Sequence, residues 1–206
     1  MMIQLHAVSK RFNYDWIFRN IDYTFHAGKK IAITGSNGSG KSTLMRILSG
    51  QLSPSEGSVL FEVNNLKLSP DNVFSKISFA APYLELIEEF SLSEILHFQK
   101  QFKPLINNMP IEECIAISGL YPHRNKLLKN YSSGMKQRVK LTLAILADVP
   151  IILLDEPTTN LDAAGVAWYQ DMIIRFAGNR SVIVSSNIER EYEFCKEIIV
   201  IENYKS

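Results

Sequence analysis

Short apolar segments recur along the whole chain, and their spacing differs from one segment to the next. Apolar and polar residues alternate in 3–8 and again in 18–25, before a turn at 28–29. A period of two residues is typical of antiparallel strands with one buried face. Segment 59–63 has a similar apolar character and is a candidate third strand of this sheet.

The remainder of the chain alternates between short apolar strands and amphipathic helices. Buried strands are predicted where apolar residues follow one another without interruption, at 31–33, 151–154, 182–185 and 198–201. Helices are predicted from apolar spacing at 42–49, 135–147 and 166–176, and over most of 91–130. Strands that alternate with helices predict an α/β fold with a mainly parallel sheet, whose ligand site lies at the carboxyl ends of the strands.

The composition fits one globular domain and excludes several classes of function. A chain of 206 residues, 46% apolar and 21% charged, is long enough for one α/β domain with a full core and short for two. We therefore expect a single domain over 1–206, with the N-terminal strands as an antiparallel β subdomain and a helical insertion at approximately 84–147. Lys and Arg total 22 and Asp and Glu total 21, so no net charge attracts nucleic acid, and no nucleic-acid partner is expected.

Cysteine usage and the length of apolar runs bear on the compartment. Cys114 and Cys195 are far apart and have no CxxC or Cys/His spacing, which argues against a disulfide framework or a zinc site and fits a reducing setting. The most apolar stretch, 139–154, is interrupted by Lys140 and Asp148, and it is shorter than the about 18–20 residues of a membrane-spanning helix. The N-terminus lacks the pattern of a secretion signal, so we expect a cytoplasmic protein that does not itself cross the membrane.

A glycine-rich segment lies directly between the predicted strand at 31–33 and the predicted helix at 42–49. It matches the Walker A pattern GxxxxGK[ST] in the strand-to-helix context that this pattern requires, which predicts a P-loop NTPase core; the alternative is a glycine-rich turn that happens to contain lysine. Successive backbone N–H groups of such a loop point at phosphate oxygens. Lys41 is predicted to reach the β- and γ-phosphates of ATP, and the Ser42 hydroxyl to ligate Mg²⁺. The residues predicted to bind the nucleotide here are Gly35, Ser36, Asn37, Gly38, Ser39, Gly40, Lys41, Ser42 and Thr43.

The buried strand at 151–154 is followed by two acidic residues, Asp155 and Glu156, which is the Walker B arrangement. A buried strand would deliver Asp155 rigidly to the metal, while Glu156 would orient or deprotonate the water that attacks the γ-phosphate. Taken alone, the pattern is equally that of a buried strand with an acidic cap, and the Walker A segment decides between the two interpretations. We therefore predict Ser42 and Asp155 as metal ligands and Glu156 as a catalytic residue.

Residues 131–138, Tyr-Ser-Ser-Gly-Met-Lys-Gln-Arg, resemble the signature of the ABC (ATP-binding cassette) family and precede the Walker B strand in that family's order. The resemblance extends over nearly the whole chain and implies the ABC ATPase fold. It also implies that Ser132 and Gly134 of one subunit close over the γ-phosphate held by another, so that ATP joins two cassettes in a homodimer or heterodimer. From the residues alone, an N-cap of the following helix is the favoured interpretation of Ser132, and the order and spacing of the other motifs reverse that preference.

Two further segments resemble parts of the same family. Segment 157–162 is similar to the D-loop, which contacts the partner subunit, and its Asp162 is included among the nucleotide-binding candidates. A proline-containing turn that caps the next helix is compatible with the same residues. Phe12 lies 29 residues before the Walker A lysine, where the family has an aromatic ring that stacks on adenine. Phe12 could equally belong to the core, and Tyr14 or Trp16 could take its place.

Two positions depart from the family pattern, and both belong to the γ-phosphate end of the site. After the apolar segment 77–81 the family places a glutamine that senses Mg²⁺ and the attacking water, whereas this chain has Pro82, which offers no side-chain donor or acceptor. Where the family places a histidine that braces the γ-phosphate, this chain has Asn187, which still donates hydrogen bonds but carries no charge. We therefore predict Asn187 as a catalytic residue and expect slow hydrolysis, unless Glu85 or His97 replaces the glutamine.

The resemblance implies the motor subunit of an ABC transporter, which works with a separate integral membrane subunit and is peripheral on the inner face of the cell membrane. Segment 83–90 lies where the family docks that subunit, although core packing of Leu84, Ile87 and Phe90 would explain the same residues. The form of the signature is more similar to that of ABC-2 exporters than of importers. One alternative is a soluble ABC ATPase that acts on ribosomes or DNA. An unrelated P-loop kinase or GTPase would leave 131–138 unexplained.

Overall fold

The computed structural model of the chain describes residues 1–205, without the side chain of Pro70, and this part contains two sheets. The strands in chain order are β1 (Met2–Phe12), β2 (Asp15–Phe25), β3 (Lys30–Thr34), β4 (Glu56–Val63), β5 (Leu66–Lys67), β6 (Ile77–Ala80), β7 (Ile151–Asp155), β8 (Ser181–Ser185) and β9 (Glu197–Val200). The α-helices are α1 (Lys41–Leu48), α2 (Pro70–Val73), α3 (Leu92–Lys100), α4 (Ile111–Ser118), α5 (Ser133–Leu146) and α6 (Ala163–Phe176).

The antiparallel sheet has the order β2-β1-β4-β5. Its buried face packs together with apolar residues of β3 and α1, and we call this group of side chains the first apolar cluster. Bulges at Ala7 and Asn20, with φ of 47° and 53°, interrupt the pairing of β1 with β2. Each bulge shifts the alternation of apolar positions, which is why the sequence pattern reveals only parts of these two strands. Ile3 pairs with Phe25 on one side and Phe61 on the other, and all three are buried against α1 and β3.

The parallel sheet has the order β6-β7-β8-β3-β9, and every neighbouring pair in it is parallel. β7 and β8 are buried along their whole length, as strands with helices on both faces are. The strands β7, β8 and β3 are adjacent in the sheet, so their carboxyl ends share one edge. The loops that leave this edge carry Glu156, Asn187 and the Walker A residues. The topology therefore brings residues from three distant parts of the sequence to one place.

The segment between β6 and β7 is helical, and its helices α3, α4 and α5 enclose the second apolar cluster. At the start of α3, the Glu94 amide donates to Ser91 Oγ and the Ser91 amide donates to the Glu94 carboxylate, which forms a capping box. α4 ends at Gly119, whose φ of 71° suits glycine. The predicted α/β class, with a parallel core, an antiparallel β subdomain and a helical insertion, is confirmed. The bounds of that insertion, approximately 84–147, stay a prediction.

Several element boundaries differ from the sequence predictions. α5 and α6 begin earlier than their apolar spacing indicates, because Ser132 and Asp162 cap them at Ser133 and Ala163. The short elements β5 and α2 have too few residues to show a period and were not predicted. Within residues 1–205, no helix has both the length and the apolar character needed to cross a membrane.

Candidate nucleotide-binding site

The Walker A segment forms the turn from β3 into α1. Gly35, Gly38 and Gly40 have φ of 144°, 75° and 106°, a region that other residues adopt only with strain. At Gly40 a Cβ would also lie 2.5 Å from Ile17 Cγ2. No described side chain caps the N-terminus of α1, so the N–H groups of its first turn can bind an anion instead.

Lys41 lies inside this turn and not in solvent. It is 5% exposed, and its Nζ donates to Gly35 O at 2.6 Å and to Ser36 O at 3.2 Å. The ammonium group is thereby folded back over the loop. A cavity of about 200 Å³ adjoins it, and the residues that line this cavity are Ile17, Asn37, Gly38, Gly40, Lys41, Ser42, Thr43 and Glu156. The Walker A residues and Glu156 therefore face the same space.

Glu202, in the turn after β9, is a neighbour of the site that the sequence patterns did not reveal. Its carboxylate accepts a hydrogen bond from the Ser36 amide, and this bond lowers the pKa of Glu202. A Cβ on residue 35 would lie 2.4 Å from Glu202 Oε2 and 2.8 Å from Ser39 Oγ. Because glycine at position 35 has no side chain, the Glu202 carboxylate can approach the loop closely enough to accept the hydrogen bond from the Ser36 amide.

Asp155, the last residue of β7, is 1% exposed. The Tyr83 hydroxyl donates to Asp155 Oδ2 at 3.0 Å, while Oδ1 is buried without a hydrogen-bond partner among the described residues. Burial, followed by the Asp155 charge, raises the pKa of Tyr83 well above its usual value, so the phenol remains a donor. Of the residues near Pro82, it is Tyr83 that reaches the Walker B carboxylate, whereas Glu85 lines another cavity and His97 bonds to its own helix.

Glu156 is positioned by a strained backbone turn. Its φ is 44°, in a region where a residue other than glycine costs roughly 1–2 kcal/mol. The Glu156 amide donates to Ser185 O at 2.8 Å, and the Thr159 amide donates to Glu156 O at 3.2 Å. This turn leads the chain out of β7 and directs the exposed Glu156 side chain to the cavity beside Lys41.

Asn187 follows β8 and lies against the Walker A loop. Its Oδ1 accepts from the Gly35 amide at 3.1 Å, and its Nδ2 donates to Asn37 Oδ1 at 3.3 Å. Both partners belong to the residues predicted to bind the nucleotide. Asn187 is therefore next to the loop, as a residue that touches the phosphates would be.

Ser132 and Asp162 both cap helices within their own chain. Ser132 Oγ accepts from the Met135 amide at 3.2 Å at the start of α5. Asp162 Oδ1 accepts from the Gly165 amide at 2.7 Å at the start of α6. The capping role that the sequence left open for Ser132 is therefore present in the structure.

The signature segment and the D-loop are in contact with each other. A Cβ on Gly134 would lie 2.8 Å from Asn160 O, and Gln137 Nε2 donates to Pro157 O at 2.8 Å in the interior. The predicted signature and D-loop residues do not line the cavity beside the Walker A lysine. Within one chain, these two groups of predicted site residues are thus separate.

Phe12, at the end of β1, is 45% exposed and belongs to neither apolar cluster. The Lys10 Nζ atom lies 5.2 Å from the centroid of its ring. Tyr14 is 94% exposed, and Trp16 has two arginine guanidinium groups at 5.4 Å and 4.5 Å from its ring. The alternative that Phe12 is a core residue is therefore wrong, and its ring is accessible to a flat partner such as a base.

A larger cavity, of about 410 Å³, opens between the end of β6 and the helices α3 and α5. We call it the apolar cavity; its lining includes Phe74, Ser78, Phe79, Ala80, Leu84, Glu85, Leu86, Ile87, Ile95, Phe98, Gln99, Phe102, Lys103, Lys140, Leu143 and Ala144. Three of these aromatic side chains, Phe74, Phe98 and Phe102, are 57%, 40% and 55% exposed. The Lys140 Nζ atom donates to Pro82 O at 2.6 Å and thereby fixes the segment that leads into the lining.

The strand, glycine loop and helix around Lys41, together with the acidic end of β7, define the chain as a P-loop nucleoside triphosphatase. The model of one protein family, described as ABC transporter, matches residues 18–159. The chain therefore belongs to the ABC transporter family, as an ATP-binding cassette with ATPase activity. The predicted family and class of enzyme are confirmed.

Similar proteins cover most of this chain. It is 30% identical over 191 residues to the uncharacterized ABC transporter ATP-binding protein YybJ of Bacillus subtilis, with 92% of this chain and 87% of YybJ covered. It is 32% identical over 227 residues to the ATP-binding protein HrtA of Staphylococcus haemolyticus, with 100% of this chain and 99% of HrtA covered. The chain spans less than half of some longer relatives. The ATP-binding cassette MJ0796, solved as a dimer in a post-hydrolysis state with ADP and Pi, has a TM-score of 0.82 at 25% identity, with 96% and 93% covered.

Proposed function

We propose that the chain is the motor subunit of a membrane transporter, in which two cassettes bind ATP with Mg²⁺, close on each other, hydrolyse the nucleotide and move a separate integral membrane subunit. The single observation that carries this proposal is the cavity shared by Lys41, Ser42 and Glu156, with Asp155 directly before Glu156. Hydrolysis of a triphosphate requires a cation, metal ligands and a base in one place. The chain would act in the cytoplasm, at the inner face of the cell membrane.

The phosphates of ATP are expected to lie along the amides of residues 38–43, at the N-terminus of α1. N–H groups and the positive end of the helix dipole favour an anion there. Lys41 then exchanges its hydrogen bonds to the loop carbonyls for bonds to β- and γ-phosphate oxygens. Phe12 stacks on the adenine ring from the end of β1.

Mg²⁺ fits the groups that remain. Ser42 is half-buried in the first turn of α1, and Asp155 has a buried oxygen, Oδ1, without a partner among the described residues. Mg²⁺ in phosphate sites usually takes one or two protein ligands together with phosphate oxygens and water. The bound metal would neutralise negative charge on the phosphates.

Hydrolysis transfers the γ-phosphoryl group of ATP to water, and ADP is the leaving group. As the bond from water to phosphorus forms and the bond to ADP breaks, Glu156 accepts the proton of the water. Asn187, in the turn after β8, exchanges its hydrogen bond to Asn37 Oδ1 for one to a γ-phosphate oxygen, without the charge that a histidine could carry. This chain lacks the glutamine that the family has at this end of the site. Loss of one preorganised donor can lower a rate by about 10²–10³-fold, so we expect this chain to hydrolyse ATP slowly.

A dimer completes the proposed site. The MJ0796 cassette, dimeric with ADP and Pi, supports closure of two such chains around the nucleotide. In that arrangement Ser132 and Gly134, at the N-terminus of α5, face the γ-phosphate bound by the other subunit, and a helix N-terminus favours such an anion. Asp162 lies in the D-loop that contacts the same partner. A homodimer and a heterodimer both agree with this geometry.

Two substitutions at Ser132 separate its capping role from its role in the dimer. Ser132→Ala removes the cap of α5 and is expected to lower the free energy of unfolding by about 1 kcal/mol. Ser132→Asp retains a good N-cap, but its charge repels a phosphate, so ATP-dependent dimerisation is expected to be lost while thermal stability is not. Thermal unfolding and size-exclusion chromatography with a non-hydrolysable ATP analogue measure the two effects. Normal dimerisation of Ser132→Asp would leave Ser132 with the capping role alone.

The apolar cavity is the proposed docking site for the membrane subunit. Exposed aromatic residues around a concave apolar surface suit burial against a partner better than contact with water. Lys140 lines this cavity and donates to Pro82 O, one residue before Tyr83, whose hydroxyl donates to Asp155. A partner seated there would therefore contact the segment that leads to Tyr83.

Cell fractionation tests this docking site. The full chain, expressed with its own membrane partner, is expected in the membrane fraction, and Phe98→Asp with Phe102→Asp is expected to release it with ATPase activity unchanged. Ile174→Asp is the matched control, because Ile174 is 77% exposed on α6 and does not line the cavity. Recovery of the unaltered chain with ribosomes or DNA, and not with membranes, would contradict the transporter proposal.

A further inference from the structure

The two oxygens of the Asp155 carboxylate differ in their hydrogen bonding. The Tyr83 hydroxyl donates to Oδ2 at 3.0 Å, whereas Oδ1 has no hydrogen-bond partner among the described residues. Asp155 is only 1% exposed, and a buried carboxylate oxygen without a partner is costly. Such an atom indicates a place for a cation or for a water molecule bound to one.

The Tyr83 hydroxyl is fixed from two sides. Its ring packs edge-on against Phe79, with 6.4 Å between the ring centroids and 75° between the ring planes. The backbone before it is fixed by Lys140, whose Nζ donates to Pro82 O at 2.6 Å.

We propose that Tyr83 is a positioning residue of the metal site. Its hydrogen bond to Oδ2 fixes the rotation of the Asp155 carboxylate, so that Oδ1 is presented to the metal or to its water. The terminal torsion of aspartate has a broad distribution, and without this bond Oδ1 would be presented only part of the time. Pro82 has no side-chain group for this task, and Tyr83 performs it from the next position. The inference rests on the proposed metal-dependent nucleotide site.

Tyr83→Phe removes the hydroxyl and keeps the ring against Phe79. The full chain is titrated with Mn²⁺ in the presence of a non-hydrolysable ATP analogue, and free Mn²⁺ is followed by electron paramagnetic resonance. We expect the metal affinity of Tyr83→Phe to be about 10-fold weaker than that of the unaltered chain, since loss of a group that orients a metal ligand typically has this effect. The affinity for the analogue in EDTA is expected to stay the same, because the loop amides and Lys41 are unaltered.

Tyr23→Phe is the matched control. Tyr23 also donates to a carboxylate, Glu197 Oε2 at 2.9 Å, but neither residue lines the nucleotide cavity. We expect its metal affinity to equal that of the unaltered chain. Equal metal affinity for Tyr83→Phe would overturn the inference and leave the proposed function intact. Weaker binding of the analogue in EDTA would also overturn it, since the hydroxyl would then support the phosphate loop and not the metal. An unaltered chain that binds no Mn²⁺ with the analogue would contradict the proposed function itself.

Discussion

Glu156→Gln is expected to lower the rate of ATP hydrolysis by about 10²–10⁴-fold while ATP affinity stays nearly unchanged. Glutamine has the same size and can keep the backbone turn, in which amide 156 donates to Ser185 O. It cannot accept the proton of the attacking water at neutral pH. Steady-state release of phosphate measures the first effect, and a nucleotide titration without turnover measures the second.

Glu189→Gln is the control for this substitution. Glu189 is exposed in the turn that follows Asn187, and its carboxylate makes no hydrogen bond or salt bridge among the described residues. We expect hydrolysis by this variant at the rate of the unaltered chain. If Glu156→Gln kept a comparable rate, Glu156 would have no role as a base.

Glu156→Gln is expected to block hydrolysis but not ATP binding. We therefore also expect this variant to accumulate as an ATP-bound dimer, which size-exclusion chromatography measures.

The parts of the site that could be predicted from sequence are those that local chemistry dictates. A left-handed turn such as that at Gly40 needs glycine, and a buried strand such as β7 needs an unbroken apolar run, so both leave clear patterns. Position along the chain then predicts function, because loops after parallel strands meet at one edge of the sheet. Asn187 was predicted from the resemblance to the ABC family, as the residue in place of a histidine at the γ-phosphate end of the site, and the structure has it bonded to Gly35 and Asn37.

The parts that could not be predicted depend on packing between distant segments. Tyr83 reaches Asp155 across 72 positions, and Glu202 reaches Ser36 across 166 positions. Neither contact leaves a local period, a cap or a turn signal in the sequence. The alternatives Glu85 and His97 were reasonable on proximity to Pro82 alone, but the chain turns after β6 so that Tyr83 faces the site and Glu85 lines the apolar cavity. Side-chain direction in an irregular segment is set by tertiary contacts, here those of Phe79 and Lys140.

Lys41→Ala is expected to weaken ATP binding by about 100-fold, or ~2.7 kcal/mol, the size usual when one partner of a buried, hydrogen-bonded charge pair is truncated. In the structure the ammonium group already lies within the loop, where it donates to Gly35 O and Ser36 O. ATP therefore meets a preorganised cation that needs only to exchange carbonyl oxygens for phosphate oxygens. Alanine removes this cation and leaves the amides of α1 as the remaining donors. Isothermal titration with ATP and Mg²⁺ measures the loss.

Lys103→Ala supplies the comparison for this experiment, because the Lys103 Nζ atom also donates to a backbone carbonyl, that of Ile77 at 2.8 Å, but lines the apolar cavity and not the phosphate loop. Both variants lose a lysine that bonds to the main chain, so both can lose some thermal stability. Only Lys41→Ala is expected to lose affinity for ATP. If it bound ATP as tightly as Lys103→Ala, the phosphates would not lie at residues 35–43, and the assignments of Ser42, Asp155 and Glu156 would fail with them, because each depends on where the γ-phosphate lies.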